Sequence, residues 1–96
     1  MTKSEIVQRV QDRLKVRESY ATLFKSENPV IRDASERVMR DLFRTGFITR
    51  SPFVPGDVHQ TCRNLGAQRL LVHILERTYG KREDIIAEIT KHHEDI

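Results

Sequence analysis

The sequence is poor in cysteine, tryptophan, proline and glycine. It holds one cysteine, no tryptophan, three prolines and four glycines in 96 residues. The single cysteine, Cys62, excludes an internal disulfide and fits a reducing compartment. No apolar run approaches the roughly 18 residues of a membrane span, and the N-terminal segment lacks the apolar stretch of a secretion signal. We therefore expect a soluble protein that is made inside the cell.

The chain also lacks a strong charge of one sign. Its 17 basic and 14 acidic residues give a net charge of +3, and both signs alternate along the sequence as on a solvated surface. A dedicated nucleic-acid binder usually shows a basic block or stripe. The apolar share of 38 % and the charged share of 32 % favour one small helical bundle with a thin core, which contacts between subunits could supplement.

Apolar periodicity and capping signals predict an all-α domain over residues 1–96, with three main helices and a short fourth. A capping box formed by Thr2 and Glu5 predicts a first helix over 3–25. Asn28 followed by proline predicts a second helix over 29–45, which we expect to pack antiparallel to the first and to end at a glycine cap, Gly46. The side chains expected to face the core are Ile6, Val7, Val10, Leu14, Tyr20, Ala21 and Phe24 in the first helix, and Ile31, Ala34, Val38, Met39, Leu42 and Phe43 in the second.

The second half of the chain gives two more helices. A second capping box at Asp57 and Gln60 predicts a helix over 58–79 that ends at Gly80. A fourth helix over 82–93 is about three turns long and would be marginal unless it docks. The apolar set of the third helix is Leu65, Ala67, Leu70, Leu71, Ile74 and Leu75.

The loop between the second and third helices contains the stretch SPFVPGD. Pro52 and Pro55 each fix a φ angle, and Pro55-Gly56 suits the centre of a type II turn. The loop is therefore stiff, yet it carries Phe53 and Val54 in its middle. One interpretation is that its apolar residues, with Phe47 and Ile48, cover one end of the bundle. The other is that some of them dock into another subunit, since a stiff loop loses little entropy on binding.

Gly66 lies inside the third helix, where glycine costs about 1 kcal/mol relative to alanine. With Ala67 it forms a notch of small residues. We expect another helix of the same domain to approach closely there; a groove for a partner is the alternative.

Cysteine and histidine raise two further hypotheses. His59 and Cys62 stand one helical turn apart at a helix N-terminus, a position that favours a thiolate, but no orienting group for a nucleophile is apparent. His92 and His93 would complete a set of four ligands for zinc, but at spacings that fit structural zinc sites poorly. His73 lies near the core stripe of the third helix and is expected at its boundary. We therefore predict no metal, no cofactor and no catalytic residue.

A row of arginines on the second helix, Arg37, Arg40 and Arg44, could contact phosphates. Acidic residues are interleaved with this row, so pairing along the helix is the alternative. The two central helices are separated by about eleven residues, whereas a DNA-reading helix-turn-helix needs a turn of about 3–4. That motif is excluded.

Residues 46–75, GFITRSPFVPGDVHQTCRNLGAQRLLVHIL, resemble the small tailed-phage domain typified by a Bordetella phage protein. That family carries an aromatic-rich turn, then S/T-x-F-V-P-G-D, then a helix with a G-x-x-R-like centre. The resemblance covers roughly residues 20–77, and Val58 stands where many relatives have proline. The matching residues are Phe47, Ser51, Pro52, Phe53, Val54, Pro55, Gly56, Asp57, Gly66, Arg69, Leu70 and Ile74, with Tyr20, Leu23 and Phe24 in a Y-x-x-L-F element upstream.

Relatives tend to come from the head and tail structural portion of phage genomes. The resemblance thus implies a non-enzymatic virion or morphogenesis component, made in the host cytoplasm, that contacts copies of itself and larger capsid, portal or tail proteins. We expect Arg69 to anchor the turn by hydrogen bonds to its carbonyls. The alternative is a nucleic-acid-associated accessory protein that uses the arginine row. The residues expected to make protein contacts or to define the loop are Phe47, Pro52, Phe53, Val54, Pro55, Gly56, Asp57, Gly66 and Arg69.

Overall fold

The computed structural model describes residues 1–94 and shows four α-helices over that range, with no strand in it. The helices are α1 (Lys3–Phe24), α2 (Pro29–Thr45), α3 (Val58–Tyr79) and α4 (Arg82–Glu94). The predicted all-α fold is confirmed, and each predicted helix boundary agrees with the structure within one residue.

Side-chain caps explain where the helices begin. Thr2 and Glu5 exchange both hydrogen bonds of the predicted capping box, at 3.2 and 3.4 Å. The Asn28 side chain accepts hydrogen bonds from the first free backbone N–H groups of α2. Asp57 accepts from the N–H of Gln60 at 2.9 Å, but the Gln60 amide donates to Asn64 instead of returning to Asp57. The second capping box is therefore only half formed.

The core is small and lies between α2 and α3. Met39, Phe43, Leu71 and Leu75 are the buried apolar side chains among the large hydrophobic residues that the structure describes. The half-buried side chains that pack against these four come from all four helices and from the loop: Phe24, Leu42, Ile48, Ile74, Tyr79, Ile85 and Ile89.

The buried face of α2 differs from the predicted one. Ser35, Met39 and Phe43 are buried at spacings of four, whereas Ile31 and Val38 are 40 % and 50 % exposed. Met39 and Phe43 are thus buried as predicted. The helix is rotated so that the apolar stripe of Ile31, Ala34 and Val38, also predicted to face the core, lies beside it. Together with the end of α1, this stripe forms an open apolar groove of about 370 Å³, which we call the α2 groove; it is lined by Leu23, Phe24, Val30, Ile31, Ala34, Ser35 and Val38.

The N-terminal part of α1, more than half of the helix, is not packed against the bundle, contrary to prediction. A Cβ placed on Gly80 would lie 3.3 Å from the guanidinium of Arg17, and the Tyr20 ring meets His73 edge to face at 6.5 Å. Helix α1 therefore runs antiparallel to α3, and residues 3–16, which we call the arm, lie beyond the end of α3. The arm is about 21 Å long, and all of its residues are exposed.

The overall dimensions reflect this arm. The radius of gyration is 16.1 Å, whereas a compact domain of this length has about 12–13 Å. The apolar arm residues Ile6, Val10 and Leu14, predicted to face the core, are 48–52 % exposed.

Gly46 ends α2 for a reason other than the predicted one. Its φ is −89°, so it does not adopt the left-handed conformation of a glycine cap. A Cβ at Gly46 would lie 2.9 Å from both the Leu71 Cβ and the Leu42 carbonyl oxygen, so glycine is needed for close packing against α3. The left-handed conformation falls on the next residue, Phe47, with φ of 54°.

Candidate protein-contact loop

The loop over residues 46–57 turns sharply where the sequence predicts. Gly56 has φ of 78°, and the N–H of Asp57 donates to the Val54 carbonyl at 3.1 Å. These are the features of the predicted type II turn at Pro55-Gly56. A side chain at Gly56 would meet nothing within 4 Å, so its backbone conformation alone explains the glycine.

A polar row on α3 holds the loop in place. The Asn64 Nδ2 donates to the Pro52 carbonyl at 2.9 Å, and the Gln68 Nε2 donates to the Phe47 carbonyl at 2.8 Å. The Thr61 hydroxyl accepts from the Val54 N–H at 2.9 Å. These three side chains share one face of the helix because they are spaced by three and four residues. The loop backbone is thus fixed at three points along its length.

Arg69 does not anchor the loop, so that prediction is wrong. It is exposed and makes no hydrogen bond to a loop carbonyl in the part of the chain that the structure describes. Its neighbour Gln68 provides that bond, since one residue further along a helix points about 100° away. A role for Arg69 in contacting a partner remains a prediction.

A different arginine, Arg50, supports the start of the loop. The guanidinium of Arg50 lies 4.3 Å from the centre of the Phe47 ring and donates to the Arg44 carbonyl at 2.7 Å. The cation–π contact and the hydrogen bond hold Phe47 in a backbone conformation that non-glycine residues rarely adopt.

The apolar side chains of the loop divide between the two predicted interpretations. Ile48 packs against the core and Val54 is half-buried, so part of the loop does cover the end of the bundle. Phe53 is 65 % exposed, although the residues on either side of it are held by α3. A large aromatic side chain is therefore displayed to solvent on a fixed backbone.

Gly66 lies on open surface, contrary to the expectation of close helix packing. It is exposed, and a Cβ built on it would meet nothing within 4 Å. The close approach between helices occurs at Gly46 instead. Contact with a partner at Gly66 remains a prediction.

The arginine row of α2 points away from the core. Arg37, Arg40 and Arg44 are all exposed. The Arg37 Nε donates to the Asp33 carbonyl at 3.3 Å, which is a backbone contact and not the predicted charge pairing. Within residues 1–94, none of the three forms an ion pair.

The cysteine and histidine hypotheses find little geometric support. His59 and Cys62 are both exposed, and no hydrogen bond joins them in the described chain. Over the same residues no three His, Cys, Asp or Glu side chains are grouped to hold a metal ion.

No pattern in the sequence predicts the burial of His92. It is 3 % exposed, and its ring stacks on Phe43 with centroids 4.2 Å apart. Its Nε2 lies 2.8 Å from a carboxylate oxygen of Glu88. Burial, followed by the nearby charge and hydrogen bond of Glu88, raises the pKa of the Tyr79 hydroxyl well above its ordinary value. These contacts hold α4 against α2 and α3, so we assign His92, Glu88 and Tyr79 a structural role.

Comparison with known proteins identifies the family. The model of the Bbp19-like phage protein family matches residues 20–90. The chain therefore belongs to the Bbp19-like phage proteins, as the loop motif indicated. The match extends beyond the resemblance seen in the sequence, which ends near residue 77, to include most of α4, and it leaves out the whole arm.

No curated protein and no solved structure matches the chain. None of the described helices is both long and apolar enough to cross a membrane.

Proposed function

We propose that this phage protein is a non-enzymatic component of the virion or of its assembly, and that it binds a larger head, portal or tail protein through the loop over residues 46–57. The observation that carries the proposal is the exposure of Phe53 on a loop held by Thr61, Asn64 and Gln68. Membership in a phage protein family supports a role in the phage.

The physical argument concerns entropy and burial. Aromatic side chains are frequent among the few residues that dominate binding energy in protein interfaces. Ordering a loop on binding costs free energy, and a loop that is already fixed avoids most of this cost. Phe53 has both properties, because its ring is free to be buried while its backbone is already in place. A concave apolar pocket on the partner is the matching surface.

Mass spectrometry of purified particles, with copy number, tests this proposal. We expect the protein in particles at a fixed stoichiometry that matches a symmetric shell, portal or tail component. Presence only in assembly intermediates would assign it to morphogenesis. Absence from both particles and intermediates would contradict the proposal.

A nucleic-acid-associated role is the second candidate, and the exposed arginine row of α2 favours it. Binding through phosphates weakens linearly in log K against log salt concentration. If the row contacts phosphates, replacing Arg40 and Arg44 with alanine should reduce both affinity for duplex DNA and the slope of this salt dependence. Phe53→Ala should leave DNA binding unchanged. A protein interface made by the loop should show the opposite pattern, with weak salt dependence and a strong effect of Phe53→Ala.

Catalysis by Cys62 is the third class, and we propose that it is absent. Replacing Cys62 with serine should leave phage yield unchanged. A loss of yield that alkylation of the thiol reproduces would support an enzyme instead.

A further inference from the structure

Two exposed apolar surfaces lie outside the loop and have no role in the proposed function. The first is a ridge on the arm, formed by Ile6, Val7, Val10 and Leu14, which recur at helical spacing along one face of α1. The second is the α2 groove. From these surfaces we infer that two copies of the chain associate, with the arm ridge of each copy lying in the α2 groove of the other.

The two surfaces match in chemistry and length. The ridge extends from Ile6 to Leu14, and the α2 side of the groove extends from Val30 to Val38. Each covers nine residues of helix, a rise of about 12 Å from the first to the last. A convex row of apolar side chains that enters an apolar groove is the usual way in which helices pack.

The ridge cannot reach the groove of its own chain. Helix α1 is continuous from Lys3 to Phe24 and contains neither glycine nor proline. The groove includes Leu23 at the far end of the same helix, about 14 Å along the axis from Leu14. Since one continuous helix carries the ridge and part of the groove, only another molecule can bring a ridge and a groove together.

The number of residues that a stable interface needs favours reciprocal exchange over pairing of the two arms. A standard interface buries about 800 Å² on each partner and involves about 20–30 residues a side. Pairing of arms would engage only the four ridge residues of each copy. Reciprocal exchange uses the groove as well, and a two-fold axis forms the same contact twice. The large apolar side chains that each copy then contributes are Ile6, Val7, Val10, Leu14, Leu23, Val30, Ile31 and Val38.

Sedimentation velocity of the purified chain, from low micromolar to near-millimolar concentration, tests this inference. We expect a reversible monomer–dimer equilibrium. Val10→Glu on the ridge and Val38→Glu in the groove should each weaken the dimer by at least about tenfold, because each would bury an unpaired charge. A monomer at every concentration, or assembly that grows without limit, would contradict reciprocal exchange.

Val16→Glu is a matched control for the ridge. Val16 lies on the same helix and is 49 % exposed, close to the 51 % of Val10, but it points about 120° away. This variant should dimerise like the wild type; an equal loss would contradict the assignment of the ridge. Circular dichroism should show unchanged helix content in all variants, and Val30→Glu, at a 78 % exposed position, replaces Val38→Glu if that variant unfolds.

Mixing the two variants distinguishes exchange from pairing of arms. A heterodimer of Val10→Glu and Val38→Glu retains one intact contact, between the ridge of the second variant and the groove of the first. We expect the mixture to regain part of the lost association, whereas no gain on mixing would contradict ridge-in-groove contact. The inference does not rest on the loop: Phe53→Ala should still dimerise, so failure of either proposal leaves the other testable.

Discussion

Asn64 joins the third helix to the loop by donating a hydrogen bond to the Pro52 carbonyl at 2.9 Å. Its side-chain oxygen accepts from Gln60 at 2.8 Å, and the residue is 4 % exposed. A buried amide with both ends satisfied is costly to remove, because its partners are then left without hydrogen bonds. The residue next to Pro52 is Phe53, so this bond also determines where the exposed ring lies.

Replacing Asn64 with alanine should therefore destabilise the protein by about 1–3 kcal/mol. Chemical denaturation measures this change, and amide exchange should quicken at Val54. Arg63→Ala is the control, since Arg63 is exposed on the same helix and should change stability by less than about 0.5 kcal/mol. Equal stabilities of the two variants would show that the Asn64 bond does not hold the loop.

Replacing Gly46 and Gly66 with alanine should change the free energy of unfolding in opposite directions. Gly46→Ala forces a Cβ against Leu71 and should destabilise by about 1–3 kcal/mol. Gly66→Ala adds a methyl group to open helix surface and should stabilise by about 0.5–1 kcal/mol. Thermal and chemical denaturation of both variants measure the difference. Loss of stability in Gly66→Ala would place that glycine against another part of the chain.

Because the pKa of the Tyr79 hydroxyl is raised in the folded state, the free energy of unfolding should fall as the pH becomes alkaline. The folded state raises its pKa above the ordinary value of about 10, so folding favours the protonated hydroxyl. This contribution is fully present below about pH 10 and is lost as the pH rises towards the folded pKa. In Tyr79→Phe, the free energy of unfolding should fall less steeply above pH 10 than in the wild type. Identical slopes would mean that Tyr79 titrates normally in the folded protein.

His92 should matter far more than its neighbour. His92→Ala removes the stack on Phe43 and one hydrogen-bond partner of the half-buried Glu88, so we expect a loss of about 1–3 kcal/mol and faster amide exchange in α4. His93 is exposed, and His93→Ala should be nearly neutral. Similar effects of both changes would show that α4 does not dock through His92.

The local features of the fold were predictable because they depend on short-range chemistry. Caps at Thr2, Asn28 and Asp57 determine where helices begin, and Pro55-Gly56 determines the turn. These interactions join residues a few positions apart, so the sequence alone shows them. The left-handed conformation at the end of α2 was predicted at Gly46 but occurs at Phe47. Glycine is required at position 46 for close packing against the distant Leu71, and not for its own backbone conformation.

The wrong predictions concern which helix faces pack against each other in the folded protein. Periodicity shows that the ridge on α1 is apolar, but it does not show that α3 ends opposite Arg17 and leaves the ridge uncovered. Asn64 and Gln68 are polar residues of a kind typical of an exposed helix face, and their role becomes apparent only because the folded loop packs on them. The burial of His92 depends on where α4 docks, which no local pattern reveals.

Incorporation of variant protein into phage particles is the most direct test of the proposed role of the loop. Phe53→Ala and Val58→Ala should be compared in a phage that lacks the wild-type protein, because both residues are largely exposed and lie five positions apart. Only Phe53 lies on the held loop; Val58 is the first residue of α3. We predict that Phe53→Ala folds normally but is depleted at least about tenfold from particles, while Val58→Ala is retained. Equal retention of both variants would contradict the proposal.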